Sequence, residues 1–228
     1  MTLRRPPPIM RRMQCNGPAL SIGLIVGFYW ARVIKLVFKT RRETGRAANF
    51  VPPELLGRVL RVIWYPTVTA WIVVPLIIAF GRRRLPAPFV PLYSNLVNTW
   101  LAVLMALAAL WGTLICWRKM GKSWRMGIDP GEKTQLVFTG AYAYVRHPIY
   151  ALSSLLMLAS VFAVPAPLMI LLAVVHLSFL QWEARREERY LVRLHGADYG
   201  SYLQNVGRFV PKALRAYSRA PVGETGGR

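Results

Sequence analysis

The stretch 146–150 places two side chains that could bind an anion directly before a residue that favours a helix start. Arg146 and His147 precede Pro148. Proline is favoured in the first turn of a helix because that position needs no N–H, so a helix is predicted to begin at Pro148. Its free amides and positive dipole end, with Arg146 and His147, would bind a carboxylate or a phosphate. A plainer interpretation is also open, in which these side chains contact lipid phosphate or pack at the membrane interface.

A second polar cluster follows the apolar stretch that begins at His147. Glu183, Glu187 and Glu188 lie among several arginines, and Glu183 and Glu187 are one helical turn apart. Ion pairs on a solvated interfacial helix would explain these charges. The residues Val-Pro-Ala-Pro at 164–167 divide the apolar stretch into the two arms of a helical hairpin. Such a hairpin would return Glu187 and Glu188 to the side of the first cluster, so that opposite charges share one cavity mouth.

The elements that must position these clusters are predicted to be membrane-spanning helices. Hydrophobic residues make up 54% of the chain, and several uncharged runs approach or exceed the length of about 18 residues that is typical of a span. The pattern predicts an all-α, polytopic integral membrane protein with about five transmembrane helices. The first three spans are predicted at 18–38, 62–80 and 93–117. The two arms of the hairpin, between 147 and 182, supply the last two. Pro66 and Pro75 fall inside the second span, where membrane helices tolerate them.

The formal charge of +21 raises the question of a nucleic-acid partner. The basic residues cluster between the apolar runs, as they do at the flanks of membrane helices, so no nucleic-acid partner is predicted. With the amino terminus outside, 21 Lys and Arg residues fall on the cytoplasmic side and 7 on the outer side. The excess of positive charge inside therefore predicts an outer amino terminus, with the carboxyl terminus in the cytoplasm.

The remaining side chains that could take part in chemistry are isolated in the sequence. Cys15 and Cys116 have no His or Cys at ligand spacing, so neither a disulfide nor a metal site is predicted. His176 lies inside the fifth predicted span. An intramembrane histidine is a functional candidate, and a hydrogen bond to a neighbouring helix is the plainer interpretation.

Several motifs occur in a specific order along the second half of the chain. They are Trp124, the stretch 136–150, Glu187-Glu188-x-x-Leu191, Gly196-x-x-Tyr199-x-x-Tyr202 and Arg208-Phe-Val-Pro211. In this order and spacing, residues 120–211 resemble the isoprenylcysteine carboxyl methyltransferase family. The first three spans resemble that family in topology alone.

The resemblance implies an integral membrane methyltransferase that uses S-adenosylmethionine, in a cytoplasmic pocket, without a Rossmann domain. The absence of a G-x-G-x-x-G motif agrees with this. In that family the Arg-His-Pro-x-Tyr stretch and the glutamate pair line the cofactor pocket. The cofactor-binding residues predicted here are Tyr144, Arg146, His147, Pro148, Tyr150, Glu187, Glu188, Tyr199 and Tyr202. Arg146 and Glu187 are also candidates for positioning the reactants, and no catalytic residue is assigned.

Methyl transfer needs alignment of the acceptor, the methyl group and the sulfonium, and exclusion of water, rather than an obligatory general base. The accepting group therefore stays open, and it could be a carboxylate, a thiol or an amine on a lipid or a lipidated acceptor. In the prenylcysteine branch an arginine stands about one turn before the glutamate pair, where this chain has Gln181-Trp182-Glu183. This departure argues against a prenylated cysteine carboxylate as the acceptor.

Two other functions are compatible with the sequence. One is an NADPH-dependent membrane reductase of the sterol reductase type, although a 2′-phosphate would require more clustered cations than Arg146 and His147 supply. The other is a non-catalytic lipid-binding membrane protein. The predicted organisation is a membrane scaffold at 1–117, a methyltransferase-like region at 118–211 and a basic, disordered tail at 212–228. Neither the oligomeric state nor the acceptor follows from the residues.

Overall fold

The computed structural model describes residues 16–45, 55–81, 85–121 and 136–218. Within these ranges the chain forms five long helices, two short 3-10 turns and no strand, which confirms the all-α prediction. The long helices are α1 (Gly17–Thr44), α2 (Leu55–Phe80), α3 (Leu96–Met120), α4 (Pro148–Ala163) and α5 (Pro167–Asn205). The 3-10 turns are Ala87–Phe89 and Gly140–Ala143.

Four of the five helices are long and apolar enough to cross a membrane, namely α1, α2, α3 and α5. The remaining predicted crossing, the first arm of the hairpin, corresponds to α4, which has 16 residues. At 1.5 Å per residue α4 rises about 24 Å, which is less than a hydrocarbon core of about 30 Å. The second arm of the hairpin is not short, because α5 continues without a break from the apolar stretch through the charged cluster. The described residues therefore contain four helices long enough to span a membrane and one short apolar helix, consistent with a polytopic membrane protein.

The helix boundaries follow local signals in the sequence. The Asn16 side chain accepts a hydrogen bond from the Ala19 amide at the start of α1, and Gly45 ends α1 with a φ of 71°. Only a residue that tolerates positive φ is comfortable there. Pro66 and Pro75 lie inside a continuous α2, as predicted. The break between α4 and α5 falls at 164–166, which confirms the predicted hairpin.

The five helices are arranged as a closed ring of neighbours, in which α1 packs on α2, α2 on α5, α5 on α4, α4 on α3, and α3 on α1. The core inside this ring is apolar and includes the fully buried side chains of Ile22, Trp71, Leu156, Met157 and Met169. Cys116 is a buried free thiol, and Cys15 lies outside the described residues. The ring therefore places residues that are far apart in the sequence in one common core.

The molecule has two distinct ends. At one end the Asn16 amide lies 3.3 Å from the Ala79 carbonyl oxygen, and the Leu92 amide lies 2.9 Å from that of Pro165. The opposite end therefore collects the last turn of α1, the first turns of α2 and α4, the last turn of α3 and the charged half of α5. Both polar clusters of the sequence are at this second end, as the hairpin predicts.

His176 lies in the core and hydrogen-bonds two neighbouring helices. Trp64 Nε1 on α2 is 3.2 Å from His176 Nδ1, and Ser153 Oγ on α4 is 3.1 Å from His176 Nε2. An indole N–H can only donate, so Nδ1 is the acceptor and the proton of the neutral ring is on Nε2. His176 thus joins α2, α4 and α5, which agrees with the plainer interpretation of an intramembrane histidine.

Part of the sequence-based interpretation falls outside the described residues. The residues outside the description include Trp124, the turn Asp129-Pro-Gly131, the amino-terminal residues 1–15 and the last ten residues, 219–228. Of the predicted tail, 212–218 are described. There the Tyr217 ring lies 5.2 Å from the Tyr202 ring, and the Tyr217 amide donates to the Ala143 carbonyl oxygen at 2.9 Å.

Candidate functional site

The start of α4 is held by a segment that follows α5, residues 206–211, here called the C-terminal segment. The Arg146 amide donates to the Gly207 carbonyl oxygen at 2.8 Å, and the His147 amide donates to that of Arg208 at 3.1 Å. Val145 and Gly207 form an isolated parallel bridge. The amides of Arg146 and His147, which precede the helix, are therefore already hydrogen-bonded. The amides of Ile149 and Tyr150 stay without an intrahelical partner, since they lie in the first turn.

Arg146 and Glu188 form a buried ion pair that also includes Arg208. Arg146 Nε and Nη2 lie 2.9 Å and 2.8 Å from Glu188 Oε1. Arg208 donates from Nε to Oε1 at 3.0 Å and from Nη2 to Oε2 at 2.6 Å. Arg146 Nη1 donates to the carbonyl oxygens of Leu203 and Val206. Glu188 is 4% exposed, and the hydrogen bonds to this carboxylate raise the pKa of Arg208. Both oxygens of Glu188 are thus occupied by arginines.

Glu187 has different surroundings from its neighbour. The Tyr150 hydroxyl donates to Glu187 Oε2 at 3.2 Å, and His147 Nδ1 is 3.6 Å from the same oxygen. The His147 and Tyr150 rings are stacked, 5.4 Å apart at an angle of 2°. The Glu187 side chain keeps 30% of its surface accessible. Its carboxylate is therefore oriented by Tyr150 and His147 and can accept further hydrogen bonds.

A cavity of about 110 Å³ lies beside Glu187, His147 and Tyr150, and every long helix contributes to its wall. The wall is mainly aromatic, with the rings of Tyr29, Trp30, Trp64, Trp117, Tyr142 and Tyr150. Burial raises the pKa of the Tyr142 phenol, so this ring is neutral at physiological pH. Apolar and aromatic walls around a few polar groups are typical of small-molecule sites.

A second, larger space lies on the other side of Glu188. It is an open groove of about 890 Å³ between the start of α2 and the charged half of α5. Glu188 and Arg208 border the groove, whereas Glu187 borders the aromatic cavity. Neighbouring residues on a helix point about 100° apart, so the two consecutive glutamates face two different spaces.

The other predicted site residues are distributed as follows. Pro148 is in the first turn of α4 and borders the aromatic cavity. Tyr144 is exposed and borders neither space. Tyr199 and Tyr202 are buried in a small separate cluster with Val206, and the Tyr202 hydroxyl donates to the Tyr142 carbonyl oxygen at 2.6 Å. The structure therefore brings Arg146, His147, Tyr150, Glu187 and Glu188 together and places the three other tyrosines around them.

Sequence reasoning missed Arg61, which it counted among the basic residues that flank the membrane helices. Arg61 is 4% exposed, and its Nη2 lies 3.4 Å from Glu183 Oε1. Arg186 Nη1 lies 3.0 Å from Glu183 Oε2. Arg61 is in helical register with the buried residues Trp64, Val68 and Trp71, so its place on the inner face was a signal in the sequence. The aromatic residues of α1, α2 and α3 that border the cavity were also missed.

A comparison with known protein families indicates the class of enzyme. Residues 97–198 match the family model described as phospholipid methyltransferase. This segment is similar to that family. The matched family is the same integral membrane methyltransferase family that includes the isoprenylcysteine carboxyl methyltransferases. The match over 97–198, here called the phospholipid methyltransferase segment, therefore confirms the resemblance seen in the sequence. No curated protein sequence matches the chain.

The phospholipid methyltransferase segment includes most of α3, all of α4 and α5 as far as Asp198. It contains Arg146, His147, Tyr150, Glu187 and Glu188, whereas Tyr199, Tyr202 and Arg208 lie beyond it. In the part of the chain that the structure describes, no group of three or more His, Cys, Asp or Glu side chains could hold a metal ion. The chain thus carries a membrane methyltransferase segment, with its polar residues gathered at one end of the helix ring.

Proposed function

We propose that this chain transfers the methyl group of S-adenosylmethionine to a lipophilic acceptor at the aromatic cavity. The observation that carries the proposal is the Glu187 carboxylate, which Tyr150 orients beside this cavity at the start of α4. The phospholipid methyltransferase match to the same residues supports the reaction class. The proposal assigns this end of the molecule to the cytoplasm, because its helix ends carry most of the basic residues.

The residues present fit the chemical groups of the cofactor. S-adenosylmethionine supplies an activated methyl group on a sulfonium. Glu187 can accept hydrogen bonds from its ammonium or ribose hydroxyls, and the amides of Ile149 and Tyr150 can donate to its carboxylate. Aromatic faces such as those around the cavity attract a cation. A cavity of about 110 Å³ is smaller than a whole cofactor site, so we assign it to the reacting end.

The chain's own residues then have three tasks. Tyr150 holds Glu187, and His147 contacts both glutamates. Glu188 joins Arg146, at the start of α4, to Arg208 of the C-terminal segment. The aromatic wall excludes water from the reacting atoms, which strengthens electrostatic interactions there. No general base is assigned, because an in-line displacement by a carboxylate, a thiolate or an amine does not require one. These three acceptor types stay open.

A titration of detergent-purified protein tests the cofactor. We expect S-adenosylmethionine to bind, as measured by isothermal titration calorimetry, and NADPH not to bind. Binding of NADPH alone would favour a membrane reductase, and binding of neither would favour a non-catalytic lipid-binding protein. Incubation of membranes with methyl-labelled S-adenosylmethionine, followed by identification of the labelled lipid or peptide, then identifies the acceptor.

Substitutions test the residues. We expect Glu187→Ala and His147→Ala each to weaken S-adenosylmethionine binding at least about tenfold, or about 1.4 kcal/mol, because each removes a polar side chain from the cavity wall. Glu43→Gln is the matched control, since Glu43 is an exposed carboxylate at the same end that pairs with Lys39 at 3.8 Å. Unchanged affinity in both cavity variants would exclude the proposed site.

A further inference from the structure

The open groove between α2 and α5 combines a basic rim with an apolar wall. It is bordered by Leu56 of α2 and, on α5, by Trp182, Val192, Leu203 and several arginines. Its volume of about 890 Å³ is within the range of about 300–1,000 Å³ that is usual for small-molecule sites. The proposed methyl transfer uses the aromatic cavity and leaves the groove without a role.

The rim of the groove has a strong positive charge. Arg185, Arg189 and Arg193 are exposed and follow one another at intervals of four residues, so they lie along one face of α5. Within the described residues no acidic side chain pairs with these three. Among the described residues that border the groove, Glu188 is the one acid, and it is already held by Arg146 and Arg208. An anion in the groove would therefore meet uncompensated guanidinium groups.

The wall of the groove continues into a surface that faces lipid. Leu56 is 59% exposed and is followed along α2 by the exposed apolar side chains of Val59, Val62 and Ile63. These residues belong to a helix that is long and apolar enough to span the membrane. A ligand with an anionic head and a long apolar tail would thus find a charged rim and an apolar path in one continuous surface. Inorganic phosphate would use the rim only.

We propose that the groove is a binding site for an anionic phospholipid. The headgroup phosphate lies against Arg189 and Arg193, and an acyl chain runs past Leu56 along α2. Arginine binds phosphate through several N–H donors in a planar fork, and basic residues next to a membrane span attract anionic lipid electrostatically. This inference does not depend on the proposed methyl transfer, because Arg189 and Arg193 lie outside the aromatic cavity.

Native mass spectrometry of the full chain in detergent tests this inference. The protein is titrated with phosphatidylglycerol and, separately, with phosphatidylcholine, and the lipid adducts are counted. We expect the wild type to bind phosphatidylglycerol at least about tenfold more tightly than phosphatidylcholine. We expect the double variant Arg189→Gln/Arg193→Gln to lose roughly 30-fold in phosphatidylglycerol affinity, from two basic side chains at their usual contribution.

The matched control is Arg118→Gln/Lys119→Gln, which removes two exposed basic residues from the end of α3, on the same side of the molecule but outside the groove. We expect its phosphatidylglycerol affinity to stay within about twofold of the wild type. Equal loss in both double variants, or no lipid preference in the wild type, would overturn the inference. Displacement of the lipid by millimolar inorganic phosphate would indicate a simple anion site and would also overturn it. An unchanged unfolding temperature of the groove variant in detergent shows that its fold is intact.

Discussion

Two consecutive glutamates at the end of the apolar part of α5 have opposite surroundings. Glu188 is buried, and both of its oxygens accept hydrogen bonds from Arg208, one of them also from Arg146. Glu187 keeps accessible surface, and its polar contacts among the described residues are with Tyr150 and His147. A buried carboxylate with charged donors on both oxygens is committed to structure, whereas a partly accessible one can bind a ligand. Glu188 therefore stabilises the fold, whereas Glu187 is available to bind a ligand.

This division predicts different effects for the same substitution at neighbouring positions. Glu188→Gln leaves Arg146 and Arg208 without their anion, which costs about 3–5 kcal/mol when a buried pair is broken. We expect a clearly lower unfolding temperature in detergent, with faster hydrogen exchange at the amides of Arg146 and His147. Glu187→Gln should change the unfolding temperature little and weaken S-adenosylmethionine binding. The reverse pattern would contradict the assignment of roles.

At the scale of elements, the C-terminal segment decides how the start of α4 is held. Gly207 lies where this segment turns back on itself, and a Cβ atom there would collide with the Val210 carbonyl oxygen. The obstacle is backbone rather than a flexible side chain. A residue other than glycine therefore requires the segment to move away from the Arg146 amide, to which Gly207 is hydrogen-bonded.

Gly207→Ala should therefore loosen the contact between the C-terminal segment and α4. We expect a loss of about 1–3 kcal/mol, as is usual for overpacking, with faster hydrogen exchange at the amides of Arg146 and His147. Gly200→Ala is the control, because a Cβ there meets nothing within 4 Å and the residue lies inside α5. That change should be neutral or stabilising by up to about 1 kcal/mol. Equal behaviour of the two variants would exclude the steric argument.

The continuous helix α5 is the second element that shapes the site. It begins at Pro167, runs through the apolar part of the bundle and carries Glu183, Glu187 and Glu188 on the same rod. Its one non-helical residue, Gly196 with a φ of 54°, lies after the site. The acids are thus rigidly coupled to the position of the membrane-spanning part of α5, and not to a loop.

At the scale of the whole molecule, the aromatic cavity needs all five long helices. Tyr29 of α1, Trp64 of α2 and Trp117 of α3 face the site residues of α4 and α5 across it. The division into a scaffold at 1–117 and a methyltransferase-like region at 118–211 stays a prediction. The cavity nevertheless draws on both parts, so neither part alone would form the proposed site.

The proposed orientation is also a property of the whole molecule, and cysteine labelling measures it. In a variant without Cys15 and Cys116, we expect a membrane-impermeant maleimide to label Arg118→Cys only from the cytoplasmic side and Tyr93→Cys only from outside. Both positions are exposed and lie near opposite ends of α3. The reversed pattern would overturn the orientation, and labelling of both from one side would show that α3 does not cross the membrane.

Much of the architecture follows from the sequence because hydropathy and helix signals are local. Long uncharged runs predict the spans, since few charges are tolerated in lipid. Pro148 predicts the start of α4, and the prolines at 165 and 167 predict the hairpin. Arg61 was missed because a basic residue at the end of an apolar run is normally a membrane flank, and only its helical register with Trp64 indicates burial.

By itself, then, the sequence determined an all-α membrane protein, the order of its helices, the hairpin, the family resemblance and the identity of the residues that meet at one end. Only the tertiary structure decided how those residues are used. The amides of Arg146 and His147 are bound by a segment about 60 residues away, and Glu187 and Glu188 are assigned to different spaces. The physical reason is that hydropathy and helix signals depend on residues that are neighbours in the sequence. Hydrogen-bond partners and cavity walls depend instead on how distant helices pack together.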